Sequence, residues 1–263
     1  MPRPVASARS VASARSIASA RTLIGAYRLP YEIIDMGITH YWDFRTNKLG
    51  VASMGVADLV SMRAMSLRGS SGPSTVFSGG GYYADLERTN TDYLTTDPFQ
   101  FSTSLTAITY FAWIKRESTG AIHHIIADWE TTGNQRGSRI YLTGDVFQMS
   151  ISSNGTANTD YTSTETLTDT SAWHFVVISY DTTNRCVMRL DNTPLTVTRT
   201  AGSDPATINS SNVAKLIGAN VPSVPANFFD GMVGICGAAV GKALSATEAS
   251  RLMTLTNALG SYV

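Results

Sequence analysis

Ser171-Ala-Trp-His-Phe-Val-Val-Ile-Ser-Tyr-Asp181 carries two interleaved apolar sets. In an extended chain Trp173, Phe175 and Val177 point to one side, and His174, Val176 and Ile178 to the other. Both faces are largely apolar, which predicts a strand in the middle of a sheet covered on both sides. Trp113, Trp173 and Trp42 are then expected in the core. Strand-like segments flank this one along the chain, at 39–45, 63–68, 82–87, 106–116, 121–130, 138–143 and 146–152, then at 186–191, 195–200, 214–218 and 228–240. Turn signals such as Asp181-Thr-Thr-Asn184, Asp191-Asn192 and Asn154-Gly155 separate them at spacings typical of a sandwich rather than of a doubly wound sheet.

One helix is predicted near the C-terminus. Ser245-Ala-Thr-Glu248 reads as a capping box, Leu244 and Ala249 as a staple, and Leu252, Met253 and Leu259 as an apolar stripe that Gly260 ends. The composition, 15% charged with 21 Gly and two Cys, fits an all-β globular class. Cys186 and Cys236 sit in apolar strand-like surroundings and are expected as buried free thiols, not as a disulfide framework. The fold class expected is an all-β, two-sheet antiparallel jelly-roll sandwich with one C-terminal helix and an extended N-terminal arm. Its domains are an arm at 1–37 and a body at 38–263.

Six pieces in order resemble the laminin-G-like jelly rolls of the concanavalin A-like superfamily. They are His40-Tyr-Trp-Asp-Phe44, Ala84-Asp-Leu-Glu-Arg-Thr-Asn-Thr-Asp-Tyr-Leu94, Thr109-Tyr-Phe-Ala-Trp-Ile-Lys115, the 171–181 strand, Phe228-Phe-Asp-Gly231 and Leu244-Ser-Ala-Thr-Glu248. The resemblance covers roughly residues 38–255. Many relatives place an acidic pair after the Phe-x-Gly turn, where it supports a structural calcium ion. This chain reads Gly231-Met-Val-Gly-Ile-Cys236 instead, so that site is not expected, and Asp43, Asp128 and Asp230 are left as carboxylates for a different one.

The resemblance also implies glycan chemistry. Hydrolases of this fold need two carboxylates flanking the scissile bond, about 5 Å or about 6.5–9.5 Å apart. Asp128 and Glu130 are the nearest match, and they read as an exposed strand end. His123 and His124 are adjacent, so on a strand they face opposite ways and do not share a metal; His174 beside Trp173 reads as a satisfied core residue, and His40 lacks a Cys or acid at ligand spacing. No nucleophile elbow or phosphate loop is present in the sequence. No catalytic residue, cofactor or metal is therefore expected. Trp129, Tyr141, Tyr161 and Phe228 or Phe229 stand near loop ends as candidate stacking platforms for a glycan, with packing as the alternative for each.

Residues 5–22 read VASARS-VASARS-IASART. Residues 1–30 hold five arginines, Arg3, Arg9, Arg15, Arg21 and Arg28, and no acid. The whole chain balances 20 basic against 20 acidic side chains, which leaves the remainder fifteen against twenty, or −5. At about 100° per residue a six-residue step turns about 240°, so a helix would present no basic face. Extended, Val5, Val11, Ile17 and Leu23 share one side with Arg9, Arg15 and Arg21. That pattern suits an arm in the groove of an acidic protein partner; the alternative is a linker with no specific contact. Nucleic acid is not the expected partner, because no aromatic residue interleaves the first four arginines. No secretory signal is read in residues 1–30, and no apolar run reaches the ~20 residues of a membrane span. A jelly roll that acts outside cells without export suggests a virion, as in a bacteriophage. The leading expectation is a non-enzymatic virion structural protein, a capsid decoration, head fibre or tail accessory, anchored to other virion proteins through residues 1–30. A carbohydrate-binding adhesin that recognises a host-surface glycan is the alternative, and a glycan hydrolase the third. A homo-oligomer is expected, although a period of six fixes no supercoil.

Overall fold

The computed structural model describes residues 31–44, 56–61, 63–70, 74–78, 81–102 and 105–262. Two antiparallel sheets form a sandwich, with strands numbered in chain order. Sheet I runs β14 (Thr193–Pro194), β13 (Arg185–Leu190), β12 (His174–Asp181), β7 (Ala107–Arg116), β17 (Gly231–Val240), β5 (Gly81–Leu86) and β4 (Ser74–Ser78), and β1 (His40–Trp42) also pairs with β17. Sheet II runs β15 (Val197–Ala201), β11 (Thr159–Thr166), β10 (Val146–Ile151), β9 (Gln135–Thr143), β8 (His123–Glu130), β16 (Leu216–Ile217), β6 (Tyr93–Thr96), β3 (Ala64–Arg68) and β2 (Val56–Ala57).

The double alternation of 171–181 is what places β12. It pairs with β7 on one side and β13 on the other. Val176, Ile178 and Tyr180 enter the core between the sheets, together with Tyr110, Ala112 and Ile114 of β7. Phe175, Val177, Phe111 and Trp113 lie on the opposite face, in a second apolar layer with Ile235, Leu244, Ala249, Leu252 and Tyr262. Helix α2 (Ala246–Gly260) covers that layer. Its capping box forms as the sequence predicts: Ser245 Oγ accepts from Glu248 N, and Glu248 Oε2 accepts from Ser245 N. The helix runs through Gly260, and the left-handed residue that ends it is Ser261, one position later than expected.

The first helix, α1 (Tyr31–Asp35), was not predicted. Ile33 and Met36 are buried in the helix-covered layer, so residues 31–37, assigned to the arm by sequence, pack on the body. Gly234 lies in the Gly231–Cys236 stretch of β17. A Cβ there would lie 2.4 Å from Cζ of Tyr262, whose hydroxyl accepts a hydrogen bond from Ile235 N at 2.7 Å. An aromatic ring fills the space beside this part of β17. Both cysteines are buried and free, as expected.

Candidate functional site

The outer face of sheet II brings together polar and aromatic side chains from four strands. Directly opposed residues share a face. One row therefore runs Thr162, Gln148, Tyr141, His124, and the next runs Asp160, Ser150, Arg139, Ala127. Their neighbours Ile140, Met149 and Tyr161 point inward to the core. The His124 ring stacks on Tyr141 with centroids 4.8 Å apart. The Arg139 guanidinium lies 4.2 Å from the centre of the Trp129 ring and 4.8 Å from that of Tyr141, close enough for cation–π attraction. The Tyr141 hydroxyl pairs with Ser150 Oγ at 3.1 Å.

Three buried polar atoms of this face, His124 Nδ1, Arg139 Nε and Asp160 Oδ1, have no hydrogen-bond partner. Such atoms are uncommon in folded proteins and each costs free energy while unpaired. Burial, with Arg139 adding repulsion, holds the His124 pKa well below the usual histidine value, so the imidazole is neutral and one ring nitrogen accepts. Arg139 is half-buried, and that burial lowers its pKa. The face thus offers the partly exposed side chains of Arg139, Gln148, Asp160 and Thr162 over buried aromatic rings.

The segment after β16 walls one side. Asn220 N bonds Ala226 O and Phe229 N bonds Gly218 O, which folds 218–229 back on itself. Glu130 Oε2 holds this segment by accepting from Ser223 N at 3.0 Å, while Oε1 accepts from Thr132 N. Burial alone would raise the Glu130 pKa, but these hydrogen bonds bring it below the ordinary value. Val221 and Phe228 then pack on a small outer cluster with Trp129, Leu216 and Tyr93.

The sequence candidates divide accordingly. Trp129 and Tyr141 do lie on this face, but at 2% and 7% exposure they are packed under Arg139, His124 and the 218–229 segment rather than standing free. Tyr161 is an interior residue: its ring lies 5.7 Å from that of Tyr180, and its hydroxyl donates to Asp204. Phe228 is half-buried against Tyr93, and Phe229 is in the core. The arm residues Arg3, Val5, Arg9, Val11, Arg15, Ile17, Arg21 and Arg28 lie outside the described residues. Arg139, Asp160 and Gln148 were missed, although the alternation in Arg139-Ile-Tyr141 places the arginine and the tyrosine on one side.

Asp128 and Glu130 are not an exposed strand end. Asp128 is 1% exposed and points inward, where Lys215 Nζ lies 2.7 Å from Oδ1. Its carboxyl is sequestered by a cation, and Glu130 is committed to the 218–229 segment. His123 and His124 do face opposite ways. His123 contacts Arg88 and Phe229, and burial together with Arg88 lowers its pKa to about 4. His174 is bound instead to Asp191 Oδ2 at 2.7 Å, and that hydrogen bond raises its pKa. Among the described residues one group of acids, Asp85, Glu87 and Glu117, brings one oxygen each within 4.8 Å of the others and could supply ligands to a metal. No described helix is long and apolar enough to cross a membrane.

Comparison with known proteins gives the same fold. At 12% identity and a TM-score of 0.59, 84% of this chain superposes on 51% of the receptor-binding domain of botulinum neurotoxin mosaic serotype C/D. A type C botulinum neurotoxin structure, whose cell entry is described as dependent on interaction with two ganglioside molecules, matches over 83% of this chain and 51% of its own at 10% identity and a TM-score of 0.56. The binding domain of botulinum neurotoxin DC in complex with SialylT matches over 83% and 52%, at 10% identity and a TM-score of 0.55. The chain spans about half the length of these structures, and identities this low establish the fold alone. No curated protein matches the sequence. The family model described as the concanavalin A-like lectin/glucanases superfamily matches residues 88–249, more than half of the chain. With the two-sheet sandwich already evident in the structure, the protein belongs to that superfamily.

Proposed function

We propose that the body is a non-catalytic carbohydrate-recognition module that binds a glycan on the outer face of sheet II. The observation that carries this reading is the row of partly exposed polar side chains, Arg139, Gln148, Asp160 and Thr162, that the strand pairings set side by side on this face. A sugar ring presents hydroxyls that both donate and accept, and C–H faces that rest on a guanidinium plane, so it answers each of those groups. Family membership and the printed descriptions of the ganglioside- and SialylT-associated structures support the same class of ligand. The engagement of Asp128 by Lys215 and of Glu130 by Ser223 supports binding without turnover. Glycan-array and calorimetric binding test it. Arg139→Ala is expected to weaken binding about tenfold or more, with the thermal transition retained. Absence of glycan binding by the wild type, or unchanged affinity of Arg139→Ala, would refute it.

A second reading rests on the five arginines of residues 1–30 against a body of −5. The module is a virion structural protein, displayed outward and anchored to acidic surfaces of capsid or tail proteins through that arm. Loss of particle association on removal of residues 1–30 is its test.

A further inference from the structure

We propose that Lys215 and Asp128 join in an intramolecular isopeptide bond, a covalent cross-link between two neighbouring strands inside the sandwich. The two residues are 87 apart in sequence, yet the pairing of Leu216 with Ala127 sets them side by side across β16 and β8. Both side chains are 1% exposed. Lys215 Nζ lies 2.7 Å from Asp128 Oδ1 and 2.9 Å from the carbonyl oxygens of Ser211 and Val213, which fix the nitrogen against the carboxyl. Ser211 Oγ donates to the same Oδ1. The Phe99 and Phe101 rings each stand 4.9 Å from Nζ and close the apolar side of the pair. Gly137 lets the carboxyl lie against the β9 backbone, because a Cβ there would be 2.7 Å from Asp128 Oδ2.

This is an amine held against an acid in a dry enclosure. Burial disfavours both charges, raising the Asp128 pKa and lowering that of Lys215, although each partner's charge opposes the shift of the other. Proton transfer along the 2.7 Å hydrogen bond converts ammonium and carboxylate into amine and carboxylic acid without importing charge. The nitrogen lone pair then attacks Cγ of Asp128. The C–N bond forms, the C–OH bond breaks, and the hydroxyl leaves as water with a proton from the nitrogen, relayed by Ser211 Oγ. One water is released, nothing is oxidised or reduced, and no co-reactant is needed. Fixed juxtaposition supplies the rate that two free groups would lack.

The deciding measurement is the mass of the denatured, purified full chain, followed by proteolysis and peptide mapping. The wild type is expected to be lighter than its sequence by one water molecule and to give a branched peptide containing Asp128 and Lys215. Asp128→Ala and Lys215→Arg are expected at full sequence mass. A wild-type chain at full sequence mass overturns the proposal. So does a deficit that persists in Asp128→Ala, as water loss at Asp230-Gly231 would produce. The reading is made on unfolded chain, and the wild-type branched peptide decides the matter even where a variant fails to fold.

Discussion

Glu117 sits where three acidic side chains converge, and its titration should be visible in stability. Burial first, then repulsion from Asp85, Glu87 and Asp230, raises its pKa, with Lys115 opposing. Asp85 and Glu87 are raised by burial and neighbouring acids in the same way. A carboxyl whose pKa is higher folded than unfolded binds more protons in the folded state, so stability falls as pH rises through that window. Above the raised pKa the penalty is complete, and below the ordinary Glu value of about 4.3 it is absent. Glu117→Gln is therefore expected to raise the melting temperature at pH 7 and to lose that advantage near pH 4. An equal gain at both values would show that the effect is not electrostatic. The buried histidines act in the opposite sense. Burial is the largest cause that brings His40 and His123 to about 4, so the stability they confer is present above about pH 6.5 and lost as pH falls toward 4. Calorimetry of wild type and variant across pH 4–7 separates the two contributions.

Helix α2 is fastened to sheet I by a polar contact inside an apolar layer. Trp113 Nε1 donates to Thr256 Oγ1 at 2.8 Å, and that hydroxyl donates in turn to Leu252 O at 2.7 Å. Thr256→Val keeps the shape of the side chain and leaves a buried indole N–H without an acceptor. It is expected to cost about 1–3 kcal/mol in denaturant unfolding, and Thr256→Ser to restore most of it. A neutral Thr256→Val would show that the indole finds another acceptor. Elements with a strong pattern were legible in the sequence: the double alternation of β12, the apolar run of β7 and the Ser245–Glu248 box each specify one local structure. β11 was not, because Thr159-Asp-Tyr-Thr-Ser-Thr-Glu-Thr166 buries little apolar surface and is held by its neighbours β10 and β15. Helix α1 was hidden by its five-residue length, and it is placed by burial of Ile33. The candidate site was half legible for a related reason. Trp129 and Tyr141 declare themselves by residue type, whereas Arg139 and Asp160 acquire meaning only when three strand pairings set them beside those rings.

The whole chain pairs a −5 remainder, built on apolar contacts, with a +5 segment whose regularity is its sequence repeat. If the arm is an anchor, it is separable from the body. The helix-covered layer contains Ile33 of α1 and Met36 just after it. Removal of residues 1–30 is expected to leave the unfolding transition within about 0.5 kcal/mol of the full chain, and to leave glycan affinity unchanged. Particle association should vanish in the same variant. In the full chain it should weaken steeply between low and physiological salt, because exposed arginine contacts are screened over about 8–10 Å. Replacing Arg9, Arg15 and Arg21 by Gln separates charge from shape: if the groove reads the Val5, Val11, Ile17 side of the repeat, weak association survives, and if it reads charge alone, none does. Retained association of the truncated body with particles would move the anchor onto the jelly roll and leave the hexads as a linker.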